Sequence, residues 1–360
     1  MMTSPSTHPE AQTSNTSTTM KAWRYKSLSG ALEKKIQLVQ DVATPTPNPQ
    51  KPEMLVEIIS MSLNPADYKI AEMGILAKGI ITTPASPGID FSGRVVSLGL
   101  PTEVFTVGGS VFGRLDPTQF GTLGQFIIAS YDGCAPLPTG VDPDHAACIG
   151  TAGLTAYQTI VPNIKAGDKI FINGGSGGVG GFGIQFAKAA GCHVTTSCST
   201  SKIGLCKQYG ADEVIDYTTT DVTQKLTDNG QIYTLIVDNV GTSPVNLYSS
   251  ADAFLLPTGK FVQVGGSASL ATVKMYVSRL FLPKLLGGGS RKFEPFFTRN
   301  SRDDLGQIAT WILEGKVKVP VEQIFEYEDT PSAIELLKKG KNTGKIIVHV
   351  TNKSTEKSVV

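Results

Sequence analysis

The residues best suited to chemistry stand in a glycine-rich stretch, Gly174-Gly175-Ser176-Gly177-Gly178-Val179-Gly180. Glycines permit positive φ and let main-chain N–H groups approach a ligand closely, which suits a pyrophosphate. The stretch follows Lys169-Ile170-Phe171-Ile172-Asn173, an apolar run that reads as a buried strand. After it Phe182, Ile184, Phe186 and Ala187 recur at mixed helical spacing up to Gly191, a C-terminal stop. His193-Val194-Thr195-Thr196-Ser197 then reads as a second strand. A glycine loop that leaves a strand and opens a helix inside a βαβ unit is a dinucleotide-binding candidate. The same glycines outside that context would be only a turn.

The end of the second strand selects the dinucleotide. A site for NAD(H) carries Asp or Glu about 20 residues past the loop, to hold the ribose 2′-hydroxyl. Here that place holds Ser197-Cys198-Ser199-Thr200-Ser201-Lys202, with no acid before Asp212. Hydroxyls and an ammonium suit a 2′-phosphate, because they donate hydrogen bonds and positive charge. Ser199, Ser201 and Lys202 therefore point to NADP(H). A solvated helix start is the alternative for Lys202.

The elements that position these groups follow from the rest of the chain. It has 360 residues, 40% hydrophobic and 18% charged, enough for two to three folded domains. A net charge of +1 carries no footprint for nucleic acid. No apolar run reaches the length of a membrane span. The five cysteines are odd in number and irregular in spacing, which argues for buried free thiols rather than disulfides or a zinc knot. Residues 1–19 are rich in Ser and Thr without Lys or Arg, and read as a disordered tail with neither a secretory signal nor a presequence. The expected home is the cytoplasm.

From Met20 the chain shows short strands and almost no helix: Met20–Tyr25, Ile36–Val42, Met54–Ser62, a turn and strand over Pro87–Gly99, Ser110–Gly113 and Gly124–Ala129. Thr44 to Pro49 is a proline-rich linker. From Lys169 strands alternate with helices, through Glu213–Tyr217, Thr234–Asp238 and Lys260–Gly266, which predicts a doubly wound parallel sheet. Helices over Leu305–Leu313 and Pro331–Lys339 and a strand over Gly344–Val350 close the chain.

Several motifs together resemble the medium-chain dehydrogenase/reductase superfamily, in its zinc-independent quinone oxidoreductase and enone (enoyl) reductase branch. They are Ser62-Leu63-Asn64-Pro65-Ala66-Asp67-Tyr68-Lys69, Pro87-Gly88-Ile89-Asp90-Phe91-Ser92-Gly93, Ala152-Gly153-Leu154-Thr155-Ala156-Tyr157, the glycine loop, Gly210-Ala211-Asp212, Leu286-Gly287-Gly288-Gly289 and Gly344-Lys345-Ile346-Ile347-Val348. The chain is also similar to plant chloroplast-envelope quinone oxidoreductases and their fungal relatives. The resemblance implies an α/β fold. A GroES-like β-rich catalytic domain over 20–145 and 304–352 would flank a Rossmann NADP(H)-binding domain over 146–303.

The resemblance also implies a site. Zinc alcohol dehydrogenases of the superfamily use Cys, His and Cys, and the matching positions here are Asn64, Ile89 and Thr151. These are not a zinc donor set, so no metal is expected. The four histidines show no metal-ligand spacing. Without a Lewis acid an alkoxide lacks stabilisation, whereas reduction of a conjugated C=C needs only donors for a developing enolate and a proton source. The turn from Asn64 to Lys69 offers Asn64, Tyr68 and Lys69 as donors. The alternatives are a capped turn holding the nicotinamide ribose for Asn64 and Asp67, a core aromatic for Tyr68, and a surface position for Lys69. The cofactor shell implied by resemblance comprises Thr155, Ser176, Gly177, Gly178 and Val179, then Ser199, Ser201, Lys202 and Tyr217. Val240, Val264, Gly265 and Leu286 would line the nicotinamide cleft, and Lys345 would close the far side. Gly150 stands where the family often has Pro.

The expected activity is NADPH-dependent reduction of an enone, enal or quinone, with a small molecule as substrate. An NADPH-binding interaction or stress-response module, and a biosynthetic iminium reductase or cyclase of the same fold, are the alternatives. Val273 to Leu286 is apolar enough for a pocket wall or a dimer seam, so monomer and homodimer both stay open.

Overall fold

The computed structural model describes residues 17–116, 118–119, 121–266, 270–282 and 289–351. Leu286 and all but the last three residues of the expected tail lie outside them. β1 (Thr19–Arg24) and β2 (Gln37–Ala43) form an antiparallel ribbon, with α1 (Leu32–Lys35) between them. β3 (Glu53–Leu63) is followed by α2 (Pro65–Ala71), β4 (Asp90–Leu98), β5 (Ser110–Arg114), β6 (Phe126–Ser130) and β7 (Cys134–Pro136). α3 (Pro143–Ala147), a π-helical turn over Ile149–Gly153 and α4 (Leu154–Ile160) lead away from this region.

Strands and helices then alternate. β8 (Lys169–Asn173), α5 (Gly178–Ala189), β9 (His193–Cys198), α6 (Ile203–Gln208), β10 (Glu213–Asp216), α7 (Val222–Asn229), β11 (Tyr233–Asp238), β12 (Leu255–Gln263), α8 (Leu270–Phe281) and β13 (Lys292–Pro295) follow one another. Their strands form a six-stranded parallel sheet in the order β10-β9-β8-β11-β12-β13. Ile170, Phe171 and Ile172 of β8 are wholly buried, as expected of a central parallel strand covered on both faces. The order reverses between β8 and β11, and ligands of such sheets bind at that switch point, beyond the strands' carboxyl ends.

α9 (Arg302–Leu313), β14 (Val321–Phe325), α10 (Thr330–Lys338) and β15 (Lys345–His349) complete the chain. β15 pairs antiparallel with β3, so the C-terminal strand returns to the first sheet, whose order is β14-β15-β3-β4-β5-β7 with β6 also on β3. The two sheets are joined by an apolar cluster in which Phe112 and Ala135 meet Ile149, Leu154, Phe182, Phe186, Leu305 and Ile308.

The N-terminal region contains more helix than its sequence pattern predicts. α2 escapes notice because its seven residues are too few to show a period. β12 begins at Leu255, ahead of the expected Lys260, and tolerates Pro257 because its pairing with β11 shifts register there. β7, β13 and β14 are three to five residues long, too short for alternation to stand out.

Three helices of the first region are tied by one cation. Lys338 of α10 lies 2.7 Å from Glu33 of α1 and 2.8 Å from Glu72 at the end of α2. Burial opposes both charges, yet hydrogen bonding to Lys338 leaves the Glu33 carboxyl below its ordinary value, and the two carboxylates raise Lys338 above its own. Lys338→Met should therefore lose about 1 kcal/mol at neutral pH, the upper range for partly exposed pairs. Glu33 contributes stability above its unfolded pKa and loses it as pH falls through the lowered folded value. Lys338 contributes below about pH 10.4 and loses it as pH rises through its raised value. The gap between wild type and variant in urea melts should thus close at both pH extremes. A constant gap would show that packing, not charge, holds the helices.

Candidate active site

The glycine loop joins β8 to α5 at the switch point. A Cβ on Gly180 would come within 2.2 Å of the Gly174 carbonyl oxygen, so only glycine lets the loop fold back on its helix. Gly177 caps the twelve-residue α5, whose first N–H groups have no partner within the helix. Ser176 is buried beside it, and Val179 packs into the cluster that joins the sheets. The N–H of Gly174 donates to Ser197 Oγ at 3.0 Å, which ties the loop to β9. The cradle and the free helix start fit a pyrophosphate.

Ser199, Ser201, Lys202 and Tyr217 assemble where β9 and β10 end. Ser199 and Ser201 hydroxyls make no hydrogen bond among the described residues, and Tyr217 is 57% exposed with its N–H on the Cys198 carbonyl at 3.1 Å. Lys202 Nζ donates to the carbonyls of Lys341 and Asn342 at 2.7 and 3.1 Å. Its neighbours thus come from the loop before β15, which sequence proximity could not reveal.

On the other side of the switch point, Val240 overhangs Gly174. The N–H groups of Val264 and Gly265 both donate to the Asp238 carbonyl at 2.9 Å. The Asp238 carboxylate accepts from Asn173 at 2.8 Å and from Gln263 at 3.0 Å, fixing the ends of three adjacent strands. Both side-chain polar atoms of Asn239 are buried there without a partner among the described residues. Thr155 is buried and shares a 2.5 Å hydrogen bond with Thr298.

The turn after β3 shows how unlike its polar residues are. Asn64 and Lys345 belong to a buried cluster centred on Asp90 of β4. Asp90 is wholly buried; Thr151 donates to its Oδ1 at 2.6 Å and Asn64 to its Oδ2 at 2.8 Å. Lys345 Nζ lies 3.3 Å from the same Oδ2, 2.6 Å from Asn64 Oδ1 and 3.0 Å from the Leu63 carbonyl, so all three of its donors are used. Its stem reaches the glycine loop, since a Cβ on Gly178 would lie 2.9 Å from Lys345 Cδ. The cluster therefore bridges both sheets. Gly150 makes room for it: a Cβ there would stand 2.7 Å from Asp90 Oδ1 and 2.6 Å from the Gly113 oxygen. This accounts for Gly150 where the resembling family often has Pro.

Asp67 is buried and accepts the Asn64 N–H at 2.7 Å, capping α2, while its Oδ1 has no partner among the described residues. Burial pushes its carboxyl up to about 8, with Asp90 adding to the rise and Asn64 and Lys345 opposing it. Tyr68 faces α10: its ring lies 5.7 Å from Lys338 Nζ and packs on the first core. Lys69, on another side of α2, crosses to the second sheet and donates to the Gly266 carbonyl at 3.2 Å. Partial desolvation lowers its pKa.

Residues 50–162 match the family described as alcohol dehydrogenase GroES-like domain, and residues 209–348 that described as zinc-binding dehydrogenase. The trans-enoyl reductase pgmF of Aspergillus terreus is 42% identical over 348 residues, covering 92% of this chain and 96% of that protein. The chain belongs to the medium-chain dehydrogenase/reductase superfamily. Within this superfamily it falls in the quinone oxidoreductase and enoyl reductase branch, which makes it an oxidoreductase with a nicotinamide cofactor. The chloroplast envelope quinone oxidoreductase homolog of Arabidopsis thaliana is 28% identical over 91% of this chain and 98% of that protein. The solved quinone oxidoreductase from Coxiella burnetii is 28% identical with a TM-score of 0.79, covering 92% of this chain and 99% of its own.

The superfamily includes zinc enzymes, but these residues do not fit a zinc ion. Ile89 has no donor atom, Asn64 and Thr151 are spent on Asp90, and Asp90 is paired with Lys345. The nearby Cys148 thiol is pushed up to about 12 by burial and donates to the Asp144 carbonyl at 3.4 Å. An ammonium–carboxylate pair thus lies among these positions. Asp90 was not singled out in the sequence, where it stands between Ile89 and Phe91 at the start of β4.

Proposed function

We propose that this protein is an NADPH-dependent, zinc-independent reductase of conjugated C=C bonds in enones and enals, and of quinones. The observation that carries the reading is Lys69 spanning from α2 to the Gly266 carbonyl beside the nicotinamide half of the switch point. It is a flexible donor, with lowered pKa, on the rim of a site whose other polar groups are mostly satisfied. The bound cofactor would supply the hydride to the β-carbon. The loop Ser176–Val179 and the start of α5 bind the pyrophosphate, and Ser199, Ser201 and Lys202 take the 2′-phosphate, Lys202 by leaving the carbonyls of Lys341 and Asn342. Thr155, Val240, Val264 and Gly265 flank the nicotinamide. Lys345, Asn64 and Asp90 hold the floor rigid. Lys69 donates to the substrate oxygen as enolate charge develops, and the α-carbon takes its proton from Lys69 or water.

Two measurements test this. NADPH should bind far more tightly than NADH, and Lys202→Ala should weaken NADPH by about 1.5–3 kcal/mol, one charge-assisted contact, with little effect on NADH. Equal wild-type affinities would remove the cofactor assignment. With NADPH deuterated at nicotinamide C4, label should appear at the β-carbon of a saturated ketone and solvent deuterium at the α-carbon. Label on the carbonyl carbon would make the protein a carbonyl reductase. Binding without turnover of any enone or quinone would favour a binding module.

A further inference from the structure

Two basic side chains are buried among the described residues, Lys345 at 4% and Arg114 at 3% exposed. Lys345 is paired with Asp90. Arg114 meets only neutral acceptors among the described residues: its Nη1 donates to the Thr298 carbonyl at 3.2 Å and to Asn300 Oδ1 at 3.0 Å. It ends β5 directly opposite Asp90 of β4, so both side chains rise from one face of the first sheet. The Asp90 carboxylate, however, is taken by Thr151, Asn64, Ser62 and Lys345. Asp116, the other acid whose field reaches Arg114, is exposed and accepts from Asn300 at 3.3 Å.

The guanidinium is only partly used. Nη1 makes both bonds, Nε is buried without a partner, and Nη2 makes no hydrogen bond among the described residues. Nε and Nη2 form one edge of the planar group, with parallel N–H bonds. That edge matches the two oxygens of a carboxylate, the bidentate pairing in which arginine differs from lysine. A cation taken from water and given no counter-charge is unfavourable, and a bound anion removes that cost. The position suits a substrate. Thr298, whose carbonyl Arg114 holds, shares its hydroxyl with Thr155, which flanks the proposed nicotinamide position. Phe297 beside it is 75% exposed, so the segment between β13 and α9 borders open space.

We propose that Arg114 is a substrate-binding residue whose Nε–Nη2 edge takes a carboxylate, so that the preferred substrate is a conjugated enone or enal carrying a free acid group. This assignment rests on the proposed reductase function, which sets the nicotinamide beside Thr155. A carboxylate on Arg114 and a carbonyl oxygen on Lys69 hold the substrate at two points, which fixes its orientation toward the hydride. A neutral enone lacks the first contact and leaves the buried cation unpaired. Such a site discriminates strongly, because the penalty falls on its own unsatisfied polar group.

The test uses the full chain with NADPH and a series of methyl enones. Each carries a terminal carboxylate on a short methylene tether and is compared with its methyl ester. The expected result is a kcat/KM for the best-fitting acid about tenfold or more above that of its ester, the scale of one charge-assisted contact. Arg114→Gln should bring that ratio close to one, and Arg114→Lys should keep part of it, since lysine retains the charge without the fork. Should the glutamine variant not fold, because the ties to Thr298 and Asn300 are lost, the lysine variant still has to lower the ratio. A wild type that prefers no acid overturns the proposal. So does a ratio unchanged in both variants, which would make Arg114 a structural clamp, or an equal loss for acid and ester, which would set it at the reacting oxygen. Calorimetric titration with the saturated keto acids and their esters reads the site without turnover. If no enone is reduced, the reductase function fails; tighter binding of a keto acid than of its ester, lost in Arg114→Gln, would still support the carboxylate site.

Discussion

Asp90→Ala is expected to lose about 3–5 kcal/mol of folding stability, the usual consequence of leaving one member of a buried ion pair uncompensated. Asp90 and Lys345 are 0% and 4% exposed, so solvent cannot take over the abandoned charge. Four hydrogen bonds end on the Asp90 carboxylate, from Thr151, Asn64, Lys345 and, at 3.5 Å, Ser62. The alanine variant would leave an ammonium with only two neutral acceptors. The double variant Asp90→Leu with Lys345→Met should recover much of that loss, because an apolar pair carries no desolvation penalty. It should still bind the cofactor more weakly, since the Lys345 stem braces Gly178. Urea denaturation of the cofactor-free protein measures the coupling. Single variants within about 0.5 kcal/mol of wild type, the range of ordinary surface changes, would show that the cluster is not an ion pair in solution.

Lys69→Ala is expected to lower kcat by about 10²–10³, or about 2.7–4 kcal/mol of barrier, as when an oxyanion donor is removed. NADPH affinity should hardly change, because the proposed pyrophosphate and 2′-phosphate ligands lie elsewhere, at the helix start and the Ser199–Lys202 turn. Tyr68→Phe should stay near wild type, because the Tyr68 ring is directed to Lys338 on α10. The pH profile separates chemistry from scaffolding. Burial lowers the Lys69 pKa, so its ammonium, and with it turnover, should be lost as pH rises through a value below the ordinary lysine value of about 10.4. Lys69→Arg should keep part of the activity and remove that alkaline limb, since guanidinium does not titrate there. If Lys69→Ala keeps both its rate and its limb, the proton comes from water and the turn is only a shelf for the cofactor.

The sequence by itself determined the parallel sheet and the glycine loop. Both rest on local properties: β8 is a continuous apolar run, and the loop has glycine where a Cβ cannot fit. Short elements such as α2, β7 and β13 were not legible, because a period needs more residues than they contain. Among the candidate donors, sequence could not separate Tyr68 from Lys69, since adjacent positions on a helix differ only in the direction they face. Only the tertiary structure sent one toward α10 and the other toward Gly266. It also decided that Lys345, 255 residues beyond Asp90, shares a buried site with it. No local signal foretells such a pairing. Two buried charges are stable together only where β15 returns to β3 and places the ammonium beside the carboxylate.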